Sequence, residues 1–136
     1  MGGHAKSTNH SSPIEKHKGV KKGTLGLLYQ PEKKKNNLIV YNTSGETKFF
    51  SGVNSCLYLC LEAKSKNGKW QAIEMYPRSF CGNSYHTLQL PNQEQWTLNA
   101  KSYEGVFKTK LRYALKVLET EPKKRSWDKQ NSYFIY

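Results

Sequence analysis

At 136 residues with a formal net charge of +12 at pH 7, the chain has room for one domain with a tail, and its charge balance predicts attraction to polyanions. Hydrophobic residues make up 36%, and no run approaches the roughly 18 apolar residues of a helical membrane span, so the sequence contains none. Nine Tyr and three Trp, set inside alternating segments, exclude a wholly disordered chain.

In the first 22 residues Ile14 and Val20 stand almost alone among Ser, His, Lys and Gly, with no helical or strand period. A segment with so little apolar surface cannot offset its ordering entropy, so residues 1–22 are expected to form a disordered basic tail ahead of a domain over 23–136. If Met1 were removed, Gly2-Gly3-His4 would offer an amine, two amides and an imidazole to Cu(II) or Ni(II), but an expression scar or chance explains so short a motif better. The myristoylation pattern fails because Lys6 stands where Ser or Thr is wanted. The start of the chain lacks the apolar core of a signal peptide, so the expectation is a cytoplasmic protein or the mature form of an exported one.

After the tail only strands are legible. Residues 24–30 form the first and stop at Pro31, followed by a loop carrying Lys33, Lys34 and Lys35. Residues 38–42 and 47–51 follow, separated by a turn at Ser44-Gly45; a second turn covers 52–55. Residues 56–64 and 70–76 flank Asn67-Gly68, a strong hairpin signal. A two-residue turn would set Leu61 opposite Glu74. A three-residue loop with a bulge at Gly68 sets Ser65 against Lys69 and Leu61 against Ile73, and leaves one coherent apolar face of Leu57, Leu59, Leu61, Ala63, Ile73 and Met75. The bulged register is therefore expected. Its other face, with Tyr58, Cys60, Glu62, Trp70, Glu74 and Tyr76, is unusually aromatic for a solvent face.

Strands at 84–90 and 95–100 are joined around Pro91-Asn92. From Phe107 the chain alternates strictly: Phe107, Thr109, Leu111, Tyr113, Leu115 and Val117 on one face, Lys108, Lys110, Arg112 and Lys116 on the other. The first set is expected in the core, Leu111 included. A polar loop with Lys123, Lys124 and Arg125 precedes a last strand over 132–136. About eight short strands with Gly, Pro and Asn turns predict an all-β fold, a single β-sandwich after the tail. The segment LPNQEQWTL, followed by the long alternating strand and a final strand, resembles the E–F–G end of an immunoglobulin or fibronectin-type sandwich. The resemblance covers about a third of the chain and implies an immunoglobulin-like fold, with no functional residues carried over.

Catalysis finds little support. Cys81, in a loop, and His86, near the start of a strand, are the nearest thing to a nucleophile and base, but nothing in the sequence implies that they approach each other. No Gly-rich phosphate loop is present. Cys56 and Cys60 lie about 13 Å apart on an extended strand, too far to bridge each other, whereas Cys81 could pair with either. None of the four histidines has zinc spacing with the three cysteines, so no metal and no cofactor is expected. Asn9-His10-Ser11 and Asn42-Thr43-Ser44 are glycosylation sequons.

What stands out is charge. Lys108, Lys110, Arg112 and Lys116 form a candidate anion-binding row, and Tyr58, Trp70 and Tyr76 are candidate aromatic contacts. Like charges along one strand repel, so a partner or nearby carboxylates must offset them, and Glu62 and Glu74 are available if their hairpin lies beside the row. The expected function is that of a non-catalytic binding module, not an enzyme, whose basic surface takes an anionic protein, glycan or envelope polymer. The alternative is a nucleic-acid binder that adds base stacking on the aromatics to phosphate contacts.

Overall fold

The computed structural model describes residues 10–16, 18–54, 56–74, 85–100, 105–121 and 132–136. Among these there is no helix; there are eleven strands: β1 (Ser12–Pro13), β2 (Leu25–Pro31), β3 (Asn36–Asn42), β4 (Lys48–Val53), β5 (Cys56–Leu57), β6 (Leu59–Lys64), β7 (Trp70–Ala72), β8 (Tyr85–Leu90), β9 (Glu94–Ala100), β10 (Leu111–Leu118) and β11 (Ser132–Ile135). They form two antiparallel sheets packed as a sandwich. The first has the order β1-β9-β3-β2; the second runs β5-β4-β10-β6-β7, with β8 on β4 and β11 on β10.

The strands exceed the expected number for two reasons. The 56–64 strand is interrupted at Tyr58, where β5 leaves β4 and β6 turns to pair with β10. β1 lies inside the expected tail. Ser12 and Pro13 pair with Gln95 and Glu94, and Ile14 N donates to Gln93 O at 3.1 Å. Regular structure therefore begins ahead of Gly23. Apolar periodicity could not reveal this, because the segment is held by backbone and polar groups.

The two sheets are joined at one end by short crossings, β3 to β4 and β8 to β9. Asn42, fully buried, staples both: its Nδ2 donates to Glu46 O and to Leu90 O, each at 2.8 Å. With that nitrogen committed and the residue enclosed, Asn42 is no glycan acceptor in the folded protein. The core fills the space between the sheets with Leu38 and Val40 of β3, Phe50 of β4, Leu57 and Leu59, Leu88 and Leu90 of β8, Trp96 and Leu98 of β9, and Leu115 and Val117 of β10. Trp96 meets Phe50 edge-on, centroids 5.1 Å apart at 64°.

The β6–β7 hairpin adopts the bulged register. Ser65 N donates to Lys69 O at 2.7 Å and Ile73 N to Leu61 O at 2.9 Å. Gly68 takes a φ of +83°, the left-handed conformation that such a bulge requires.

The long basic strand differs from expectation. β10 begins at Leu111, four residues later than Phe107. Leu111 is not core: it is 48% exposed, as is 53% of Phe107, and Ile73 on the adjoining hairpin is 43% exposed. Leu111 pairs with Ala63, beyond the last buried residues of β6 and β10, where the facing sheet no longer covers the inner surface. Alternation sets the face a side chain takes. It does not say how far the opposite sheet extends.

Candidate anion-binding surface

The outward side of the second sheet is built from alternate residues of four strands. Tyr58, just before β6, is followed by Cys60, Glu62 and Lys64 of β6; β10 contributes Arg112, Ala114 and Lys116; β7 contributes Trp70 and β11 Phe134. The pairings Arg112↔Glu62, Lys64↔Trp70 and Lys116↔Phe134 fix this register. Trp70 and Tyr58 therefore do share a surface with part of the basic row. Tyr76, the third aromatic candidate, lies outside the described residues, as do Cys81 and Lys123, Lys124 and Arg125.

Arg112 sits at the centre of this face. Its Nε donates to Glu62 Oε2 at 2.6 Å, and its guanidinium carbon lies 4.2 Å from the Trp70 ring centroid and 3.9 Å from that of Tyr136. A planar cation can satisfy a carboxylate in its plane and stack on rings above and below it. Tyr136 was not among the expected contacts. The alternation of 132–136 puts Phe134 and Tyr136 on one side, but only the pairing of β11 with β10 shows which neighbours that side meets. Lys116 lies over Tyr58, its Nζ 5.6 Å from the ring centroid.

The row thus divides. Arg112 is charge-paired and enclosed, and Lys116 is half-buried against an aromatic ring. Lys108 and Lys110 precede β10 in an extended segment and are exposed. That segment is tied to the end of β6: Lys64 N donates to Lys110 O at 3.0 Å, and the Thr109 hydroxyl donates to Lys64 O. Lys66 on the hairpin loop stands beside it, its Nζ 5.4 Å from the Phe107 centroid, and Lys69 is exposed on the same loop. None of Lys66, Lys69, Lys108 and Lys110 forms an ion pair among the described residues.

The first sheet adds a second group. Lys33, Lys34 and Lys35 occupy the exposed β2–β3 turn, closed by Glu32 N donating to Lys35 O at 3.1 Å. They line a shallow depression of about 370 Å³ together with Glu32, Asn36, Asn99 and Ala100. Glu32 accepts from Asn37 Nδ2 at 3.0 Å. Both lysine groups lie at the ends of their sheets remote from the crossings that Asn42 staples.

The surface offers fixed positive charge. Among the described residues no three His, Cys, Asp or Glu side chains gather as a metal site. His86 pairs with Gly52 inside the second sheet. Cys60 is buried on the outward side of β6 with its Sγ 3.4 Å from Glu74 O, and it is not bridged to Cys56. No helix among the described residues is long and apolar enough to cross a membrane. Comparison with protein-family models, characterised proteins and solved structures finds no match to this chain.

Proposed function

We propose that the protein is a non-catalytic interaction module whose basic surface recognises an anionic macromolecule. The observation that carries this reading is that exposed Lys108 and Lys110 lie on a segment hydrogen-bonded to the end of β6, with exposed Lys66 on the adjoining β6–β7 loop beside Phe107 and exposed Lys69 on the same loop. Four exposed ammonium groups held on two joined segments repel one another, and a polyanion relieves that repulsion while releasing its own counterions. An acidic protein, a sulfated or carboxylated glycan and an anionic envelope polymer all satisfy this chemistry.

The disposition of the aromatics favours this reading over nucleic-acid binding. Base stacking needs an open ring face. The Trp70 ring is stacked by Arg112 at 4.2 Å with Lys64 Nζ 6.0 Å from its centroid, and Tyr58 carries Lys116. These rings hold the protein's own cations. An immunoglobulin-like classification belongs to the same proposal. The neighbour order β7-β6-β10-β11 and the placement of β9 beside β3 are those of such a sandwich, whereas β4 and β8 are additions to it.

Heparin chromatography with a salt series tests the function. The full chain should be retained at low salt and elute as salt rises. The Lys108→Glu/Lys110→Glu double variant should elute at distinctly lower salt with its melting temperature unchanged. Indifference of the wild-type chain to heparin at low salt would sink the proposal. Preference for single-stranded oligonucleotide over heparin, reduced by Trp70→Ala, would transfer it to the nucleic-acid reading.

A further inference from the structure

The overhang of the second sheet leaves an apolar surface beside Lys108 and Lys66. Ala63, Ile73, Phe107 and Leu111 line an open depression of about 500 Å³ together with Gly105, Lys108 and Thr109. Ala63, Ile73 and Leu111 belong to the inward face of the sheet, so this is core-type surface that the other sheet does not reach. Next to it, Val106 is 106% exposed, at the tip of the segment that carries Phe107. Exposed apolar side chains occurring singly need no explanation, but a contiguous group of them, rimmed by charge, marks an interaction surface.

We infer that this tip docks the protein on a bilayer containing anionic phospholipid, with Val106 and Phe107 entering the headgroup–acyl boundary. The inference rests on the anion-binding reading and names its partner. Charge complementarity decides for a bilayer. Lys66 Nζ lies 5.4 Å from the Phe107 centroid, and Lys108 follows Phe107 directly, so the ammonium groups stand at headgroup depth when the ring is immersed. Both halves of interfacial binding, apolar burial and attraction to anionic lipid, are then met by one small surface. A soluble polyanion would use the lysines and leave Val106 and Phe107 in water. A bilayer accepts a protruding apolar tip without shape matching, which suits a residue as exposed as Val106.

The test is flotation of the full chain with phosphatidylcholine vesicles, with and without a minor fraction of phosphatidylserine, run beside heparin chromatography. The wild-type chain should float with the phosphatidylserine vesicles and not with phosphatidylcholine alone. Val106→Ser/Phe107→Ser should lower partitioning by about tenfold or more, the weight of a buried aromatic, while heparin elution and melting temperature stay the same. Heparin retention without vesicle binding overturns the membrane inference alone. Vesicle binding that ignores the double change reduces it to plain electrostatics and overturns the insertion. Concentration-dependent dimers that the same change abolishes would assign the patch to a second copy of the chain. Loss of both heparin and vesicle binding in the wild type removes the anion-binding reading as well.

Discussion

Arg112 and Glu62, 50 residues apart in sequence, meet across β10 and β6 with Nε 2.6 Å from Oε2, and Trp70 and Tyr136 stack on the same guanidinium. The pair is partly buried, with side-chain exposures of 29% and 17%, so solvent screens it only in part. Arg112→Met with Glu62→Gln in a double-mutant cycle should show a coupling of about 1–2 kcal/mol. Arg112→Lys keeps the charge but loses the planar fork, and should recover less than half of the loss caused by Arg112→Ala. A coupling near zero in urea melts would make this contact a bystander.

Leu111 and Leu115 share one face of β10 and differ in cover: 48% exposed against 0%. Leu115→Ala should cost about 2–5 kcal/mol, since it opens a cavity in the centre of the core. Leu111→Ala should cost about 1 kcal/mol or less, close to Lys110→Ala at about 0.5 or less. Equal losses at Leu111 and Leu115 would show that the overhang is covered in solution.

Those two leucines mark how far the sequence could be read. Strand identity and facing direction were legible, because they follow from a period of two. The β6–β7 register was legible because one pairing alone makes a coherent apolar face and supplies Gly68 where a positive φ is needed. The reach of the first sheet, the pairing of β1 and the stacking of Tyr136 depend on long-range placement that no local pattern encodes. The same holds for the site. The choice of Arg112 and Trp70 was readable as charge and aromaticity, but that Glu62 would neutralise the first and Arg112 cover the second required the β10–β6 pairing. The result moved the exposed cations from the strand to the hairpin loop and the β10 approach.

At Gly68 a φ of +83° with open space around an added Cβ isolates backbone strain from packing. Gly68→Ala should therefore cost about 1 kcal/mol without altering the core, and Gly68→Asn less, because Asn tolerates the left-handed region. Identical stability of Gly68→Ala and wild type in thermal melts would argue against the bulged turn.

Truncation to a chain starting at Gly23 removes more than a strand of two residues. Ser11 Oγ donates to Glu94 Oε2 at 2.8 Å, Glu15 N to Gln95 Oε1 at 3.1 Å, and Thr43 Oγ1 to Lys21 O at 2.6 Å. Gln95, only 1% exposed, would be uncovered. A cost of about 1–3 kcal/mol, seen as a fall in melting temperature of about 5 °C or more, is expected. A truncated chain that melts with the full one would show that these contacts contribute nothing net.

Asn42 offers the sharpest test of the fold, because every side-chain valence is used. Nδ2 donates to Glu46 O and Leu90 O at 2.8 Å each, while Oδ1 accepts from Ser44 N at 3.0 Å and Ser44 Oγ at 2.6 Å. Its own carbonyl accepts from Gln93 N at 2.7 Å, so both crossings between the sheets close on this residue. Asn42→Ala strands two carbonyls and should cost about 2–4 kcal/mol. Asn42→Asp has the same shape but turns an oxygen toward those carbonyls and buries a charge, so at neutral pH it should cost as much or more. Burial beside carbonyl dipoles would raise the folded-state pKa of that new carboxyl above its unfolded value of about 3.9. The penalty is then full above the folded pKa and shrinks as pH falls toward the unfolded pKa, where the protonated acid can donate to one of the two carbonyls. Urea melts of Asn42→Asp against wild type should therefore show a stability gap that narrows from pH 7 to acid. A gap that is absent at pH 7, or that widens in acid, would show that the amide does not hold the crossings together.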